Sequence, residues 1–119
     1  VAALARSGPE LASLAADTGC EPHAVDVTDG AGLKSVVQGL LVRHGACDLL
    51  VNNAGHGLRG AVEEIDVPAY RQELEVNLVA PLRLGEEALE VLEPGGGMVF
   101  IASTLAARPI VTSADPLMK

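Results

Sequence analysis

The stretch Asp48-Leu49-Leu50-Val51-Asn52-Asn53-Ala54-Gly55 decides how this chain is read. Its consecutive apolar residues, Leu49 to Val51, suit a strand buried on both faces, as in a parallel sheet. The run ends on two amides and a glycine, so a strand over 49–54 delivers polar groups at its C-terminal end. In open α/β sheets, ligands bind in the crevice at those ends.

Working outward, Val1–Arg6 reads as an earlier strand. Ser7-Gly8-Pro9 opens a helix with a buried stripe of Leu11, Leu14 and Ala15, and Gly19 ends it. Ala24–Val27 is the next expected strand. Thr28 or Asp29 caps a second helix, in which Leu33, Val36, Val37, Leu40 and Leu41 repeat at helical spacing until Gly45. After a glycine-rich loop, Asp66 begins the longest helix, running to about Leu92 with Tyr70, Leu74, Leu78 and Leu82 toward the core. Pro81 should kink it. Glu93–Gly97 is an expected turn, Met98–Ala102 a fourth strand, and the tail from Ala106 a loop. The order βα-βα-βα-β implies one domain over residues 1–119, of class α/β, around a parallel sheet.

Composition narrows the function. The net charge of −8 disfavours nucleic acid and anionic membranes as partners, since both need a basic surface. An anionic cofactor needs only a local electropositive pocket and stays open. Tyr70 and Phe100 are the only aromatic residues, so there is no platform for stacking bases. Cys20 and Cys47 share no CxxC context and read as free thiols in a reducing compartment. No apolar run is long enough to span a bilayer and no signal-peptide pattern is present, so a soluble cytoplasmic protein is expected. A chain that starts at Val1 is expected to be processed, trimmed or incomplete.

Several residues invite a functional reading beside a plainer one. Gly55-His56-Gly57-Leu58-Arg59-Gly60 is a literal GxGxxG, but the helix start at Asp66 lies too far on for a pyrophosphate turn, so it reads as a loop lining a cleft. Arg6, closing the first strand, suits the 2′-phosphate of NADP or is a solvated Arg. Asp26 can receive a hydrogen bond from a bound nucleotide, or cap the helix that follows. Asn77 sits among apolar neighbours and needs a partner for its amide, in a site or in the main chain. Ser103 and Thr104 end the fourth strand and suit a substrate oxygen, or a turn cap. His23, His44 and His56 show no metal-ligand spacing and read as structural or exposed, so no metal site is expected. Glu63-Glu64 and Glu86-Glu87 read as solvated faces.

Taken together these residues resemble the short-chain dehydrogenases/reductases. Asp48–Gly55 is similar to the family's strand-four motif, and Val25-Asp26-Val27-Thr28 to the segment contacting the adenine ring. Glu75-Val76-Asn77-Leu78 is similar to its active-site helix, and Ile101-Ala102-Ser103-Thr104 to the end of strand five. The resemblance implies a Rossmann-like doubly wound parallel sheet, partial here, with the second to fifth strands present. It implies hydride transfer between a nicotinamide and a small carbonyl or alcohol substrate, with NADP preferred through Arg6 and NAD as the alternative. Asp26, Val27, Asn53, Ala54 and Gly55 would then bind cofactor. Asn77 would hold a water in a proton relay, Ser103 would orient the substrate oxygen, and Lys119 aligns with the family lysine. A homo-oligomer fits the family's habit.

Two departures set expectations of their own. The family's TGxxxGxG turn, with its strand and helix, is not in these 119 residues. Asp115 stands where the catalytic Tyr of Tyr-x-x-x-Lys belongs, and Pro116 disturbs that helix. The expectation is a fragment without dehydrogenase activity by itself. The alternative is a degenerate, non-catalytic member that binds a nucleotide or another protein.

Overall fold

The computed structural model describes residues 1–57 and 66–103. Its elements run β1 (Ala2–Ala5), α1 (Gly8–Thr18), β2 (Glu21–Ala24), α2 (Gly30–His44), β3 (Cys47–Asn52), α3 (Val67–Leu74), a π-helical turn (Glu75–Val79), α4 (Ala80–Leu89) and β4 (Leu92–Phe100). The class and the alternation of strands with helices are those expected.

The strands form two parallel pairs rather than one continuous sheet. β1 pairs with β2 from Ala2↔Glu21 to Ala5↔Ala24, and β3 pairs with β4 from Leu49↔Gly97 to Asn52↔Phe100. These are the 3-2 and 4-5 pairs of the doubly wound order 3-2-1-4-5-6, whose strand 1 lies between them. No strand in that central position occurs among the described residues.

Helix α2 ties the two pairs together. Near its start Lys34 bonds Glu87 of α4 at 3.2 Å; near its end Arg43 and His44 both grip Glu21 of β2, His44 at 2.8 Å. Its boundaries follow from sequence. Asp29 caps it, its carboxylate accepting the Gly32 N–H at 3.0 Å. Gly45 ends it at φ +83, a conformation that side-chain-bearing residues avoid. Leu33 is its buried anchor, and Leu11 serves α1 in the same way.

Four sequence expectations are corrected. The second strand is Glu21–Ala24, not Ala24–Val27: one further bond, Val25 N–H to the Ala5 carbonyl at 3.0 Å, follows it before the chain turns on Asp26. The fourth strand begins at Leu92 rather than Met98. Cys47 pairs with Leu92 and Leu49 with Gly97, so the expected turn is an irregular bulge inside the strand.

The third strand is not buried on both faces, since Leu49 and Val51 are about half exposed. The long helix is also turned from its expected face. Tyr70, Leu74, Leu78 and Leu82 are exposed, while Ala80, Gly85 and Ala88 are buried. Small residues let the backbone of α4 approach the strands: a Cβ at Gly85 would lie 3.6 Å from Met98 Sδ and 3.8 Å from Phe100 Cζ. Leucines at those positions would hold it off.

Candidate active site

The site starts from the last bonds of the β3–β4 pair. Ile101 donates its N–H to the Asn52 carbonyl at 2.9 Å, just past the Asn52↔Phe100 pairing. From there Asn53, Ala54 and Gly55 leave one strand and Ala102 and Ser103 leave the other, all exposed at one sheet edge. Adjacent strands are about 4.8 Å apart, so these two short segments flank a common crevice.

Asn77 reaches this edge from the π-helical turn. Its Oδ1 accepts the His56 N–H at 2.9 Å, and its Nδ2 donates to the His56 carbonyl at 2.6 Å. The turn has a local cause. Proline at 81 has no N–H to offer the Asn77 carbonyl, so the helix ladder is broken there. The Ala80 N–H instead bonds the Glu75 carbonyl, five residues back. Single π turns of this kind concentrate at functional sites. Asn77 is therefore satisfied by main chain, one of the two readings its sequence context allowed, and it also joins helix to ligand edge.

A second cluster forms where β1 and β2 end. The Val25–Ala5 bond brings Arg6 and Asp26 alongside each other. Asp26 Oδ1 accepts the Thr28 N–H at 2.8 Å and the Thr28 hydroxyl at 2.7 Å. Those two bonds, the main-chain one first, hold its carboxyl below the usual carboxylate range, with a smaller contribution from Arg6. Asp26 Oδ2 takes no bond among the described residues, and Arg6 is exposed. The helix that follows is capped by Asp29, not by Asp26. Val27 is half-buried beside this cluster.

Sequence reasoning named Asn53 and passed over Asn52. Asn52 is 9% exposed, and its Nδ2 has no hydrogen-bond partner among the described residues. A buried donor without a partner is costly. The strand alternation carried the signal: Leu49 and Val51 face outward, which puts Asn52 on the inner face with Leu50. His56, read as structural or exposed, is exposed, with its main-chain N–H and carbonyl held by Asn77. Thr104, Asp115, Pro116 and Lys119, and Leu58–Gly60 of the glycine loop, lie outside the described residues. Among the described residues no group of three His, Cys, Asp or Glu side chains is placed to hold a metal, and Cys20 and Cys47 are free thiols.

The residues present fit the two ends of a dinucleotide. Arg6 and the open oxygen of Asp26 offer a cation and an acceptor at one strand pair. Exposed backbone at Asn53–Gly55 and the donor of Asn52 stand at the other. A pyrophosphate cradle is not among the described residues.

A family model described as enoyl-(acyl carrier protein) reductase matches residues 1–118. The chain belongs to the short-chain dehydrogenase/reductase family. Relatives of this short-chain dehydrogenase/reductase include an oxidoreductase, BOA17, of Botryotinia fuckeliana, 33% identical over 91% of the chain and 41% of that protein. The trans-4-hydroxycyclohexanecarboxylate dehydrogenase of Sinomonas cyclohexanicum is 34% identical over 69% of the chain and 32% of its own length. A short-chain dehydrogenase from Burkholderia cenocepacia J2315, solved in complex with NADP, superposes with a TM-score of 0.81 at 26% identity, over 93% of this chain and 48% of that one. The chain thus spans less than half the length of these relatives. They are Rossmann-fold oxidoreductases, which fixes the fold class and the broad chemistry of the family. Among the described residues no helix is long and apolar enough to cross a membrane.

Proposed function

We propose that the protein is an NAD(P)-dependent oxidoreductase acting between a nicotinamide and a small carbonyl or alcohol. Residues 1–119 would form a single partial Rossmann-like domain of it. The observation that carries this reading is the clasp of His56 by Asn77 beside Asn53–Gly55. It joins two family motifs, 21 residues apart between His56 and Asn77, at one sheet edge.

When bound, a nicotinamide cofactor supplies or takes the hydride. The chain's own residues bind and orient. Arg6 would pair with a 2′-phosphate, which favours NADP over NAD. Asp26 and Val27 would receive the adenine end, and Asn53, Ala54 and Gly55 the nicotinamide end. Ser103 would give the substrate oxygen a hydrogen bond, and Lys119 would act near it. With its carbonyl freed from residue 81, Asn77 would hold a relay water. Because the pyrophosphate turn is not in residues 1–119, they are expected to show no turnover alone.

Calorimetric titration with NADPH and NADH tests the reading. NADPH should bind more tightly, and Arg6→Ala should lose about tenfold in NADPH affinity while sparing NADH. Binding of neither nucleotide would overturn it.

A non-catalytic interaction domain is the second reading. Exposed Leu78, Leu82 and Leu89 on one helix favour it, and the same face would serve a homo-oligomer. Sedimentation that shows concentration-dependent association without nucleotide binding would support this alternative; a monomer that binds NADPH would count against it.

A further inference from the structure

We draw no further inference here: the strongest candidate, the buried Nδ2 donor of Asn52 at the C-terminal end of β3, belongs to the site already described, and nothing among the described residues shows what it bonds.

Discussion

Asn77 closes a two-bond clasp on His56, accepting from its N–H at 2.9 Å and donating to its carbonyl at 2.6 Å, across 21 residues of chain. The amide is the only uncharged side-chain group that offers an acceptor and a donor side by side. Asn77→Ala should release both bonds, worth about 1–2 kcal/mol of local stability at an exposed position. The amide of His56 should then exchange about tenfold faster, with global stability little changed. Asn77→Asp should behave like Ala, because its second oxygen repels the His56 carbonyl. Hydrogen-exchange NMR reads both.

Two glycines in the β4 region should respond in opposite ways to the same substitution. A Cβ at Gly85 meets Met98 Sδ at 3.6 Å, an ordinary contact, so Gly85→Ala keeps the packing of α4 and gains helix propensity of about 0.5–1 kcal/mol. A Cβ at Gly96 would lie 2.8 Å from the Asp48 carbonyl oxygen and 3.0 Å from that of Glu93. Both obstacles are backbone, so Gly96→Ala must shift the bulge and should cost about 1–3 kcal/mol. Urea unfolding of the two variants gives the signs directly.

These cases also show what the sequence could and could not say. The element order was legible because periodicity, caps and glycine stops act locally: Asp29, Gly19 and Gly45 bound their helices where expected. The inner face of the long helix was not. Helical spacing through Tyr70, Leu74, Leu78 and Leu82 assumes 3.6 residues per turn, and the π turn at Glu75–Val79 shifts the phase. Ala80, Gly85 and Ala88 are too small to attract notice in a hydrophobic pattern, although smallness is what lets them be buried. Around the site, it was readable that Asn53–Gly55 and Ser103 fall at the C-terminal edge of neighbouring strands, although each strand ends two residues earlier than the expected one. The bond partner of Asn77 was not, because a contact made through main chain leaves no mark on the identity of residue 56. The edge of β3 misled for a different reason: an apolar run implies burial on both faces only where the sheet continues and is covered.

The turned helix gives a test of its own. Leu78 and Leu82 are 54% and 56% exposed, whereas Leu33 is 3% exposed. Leu78→Ser and Leu82→Ser should each change stability by less than about 0.5 kcal/mol, as surface substitutions do. Leu33→Ala should cost about 2–5 kcal/mol through lost burial and a cavity. A large loss at Leu78 or Leu82 would mean that this face is covered in solution, and repeating the denaturation at tenfold dilution would show whether a second copy covers it.

The last prediction concerns acid. Glu21 is gripped by three side chains: His44 2.8 Å from Oε2, His23 3.0 Å from Oε1, and Arg43 also on Oε1. Its carboxyl is lowered from 4.5 to about 2, chiefly by the hydrogen bond from His44, against a smaller opposing pull from desolvation, with Arg43 and His23 adding to the drop. A carboxyl that is more acidic folded than unfolded contributes stability above its unfolded value, and that contribution is lost as pH falls through the folded one. The urea midpoint should therefore decline between about pH 4.5 and 2, as the end of α2 comes away from β2. Glu21→Gln should start from a lower midpoint at pH 6 and fall less steeply across that window. The side chain is 32% exposed, so the difference should shrink in 1 M salt, about 3 Å of screening length. An unchanged slope in Glu21→Gln would assign the acid sensitivity to other carboxylates and remove Glu21 as the tie between α2 and the first strand pair.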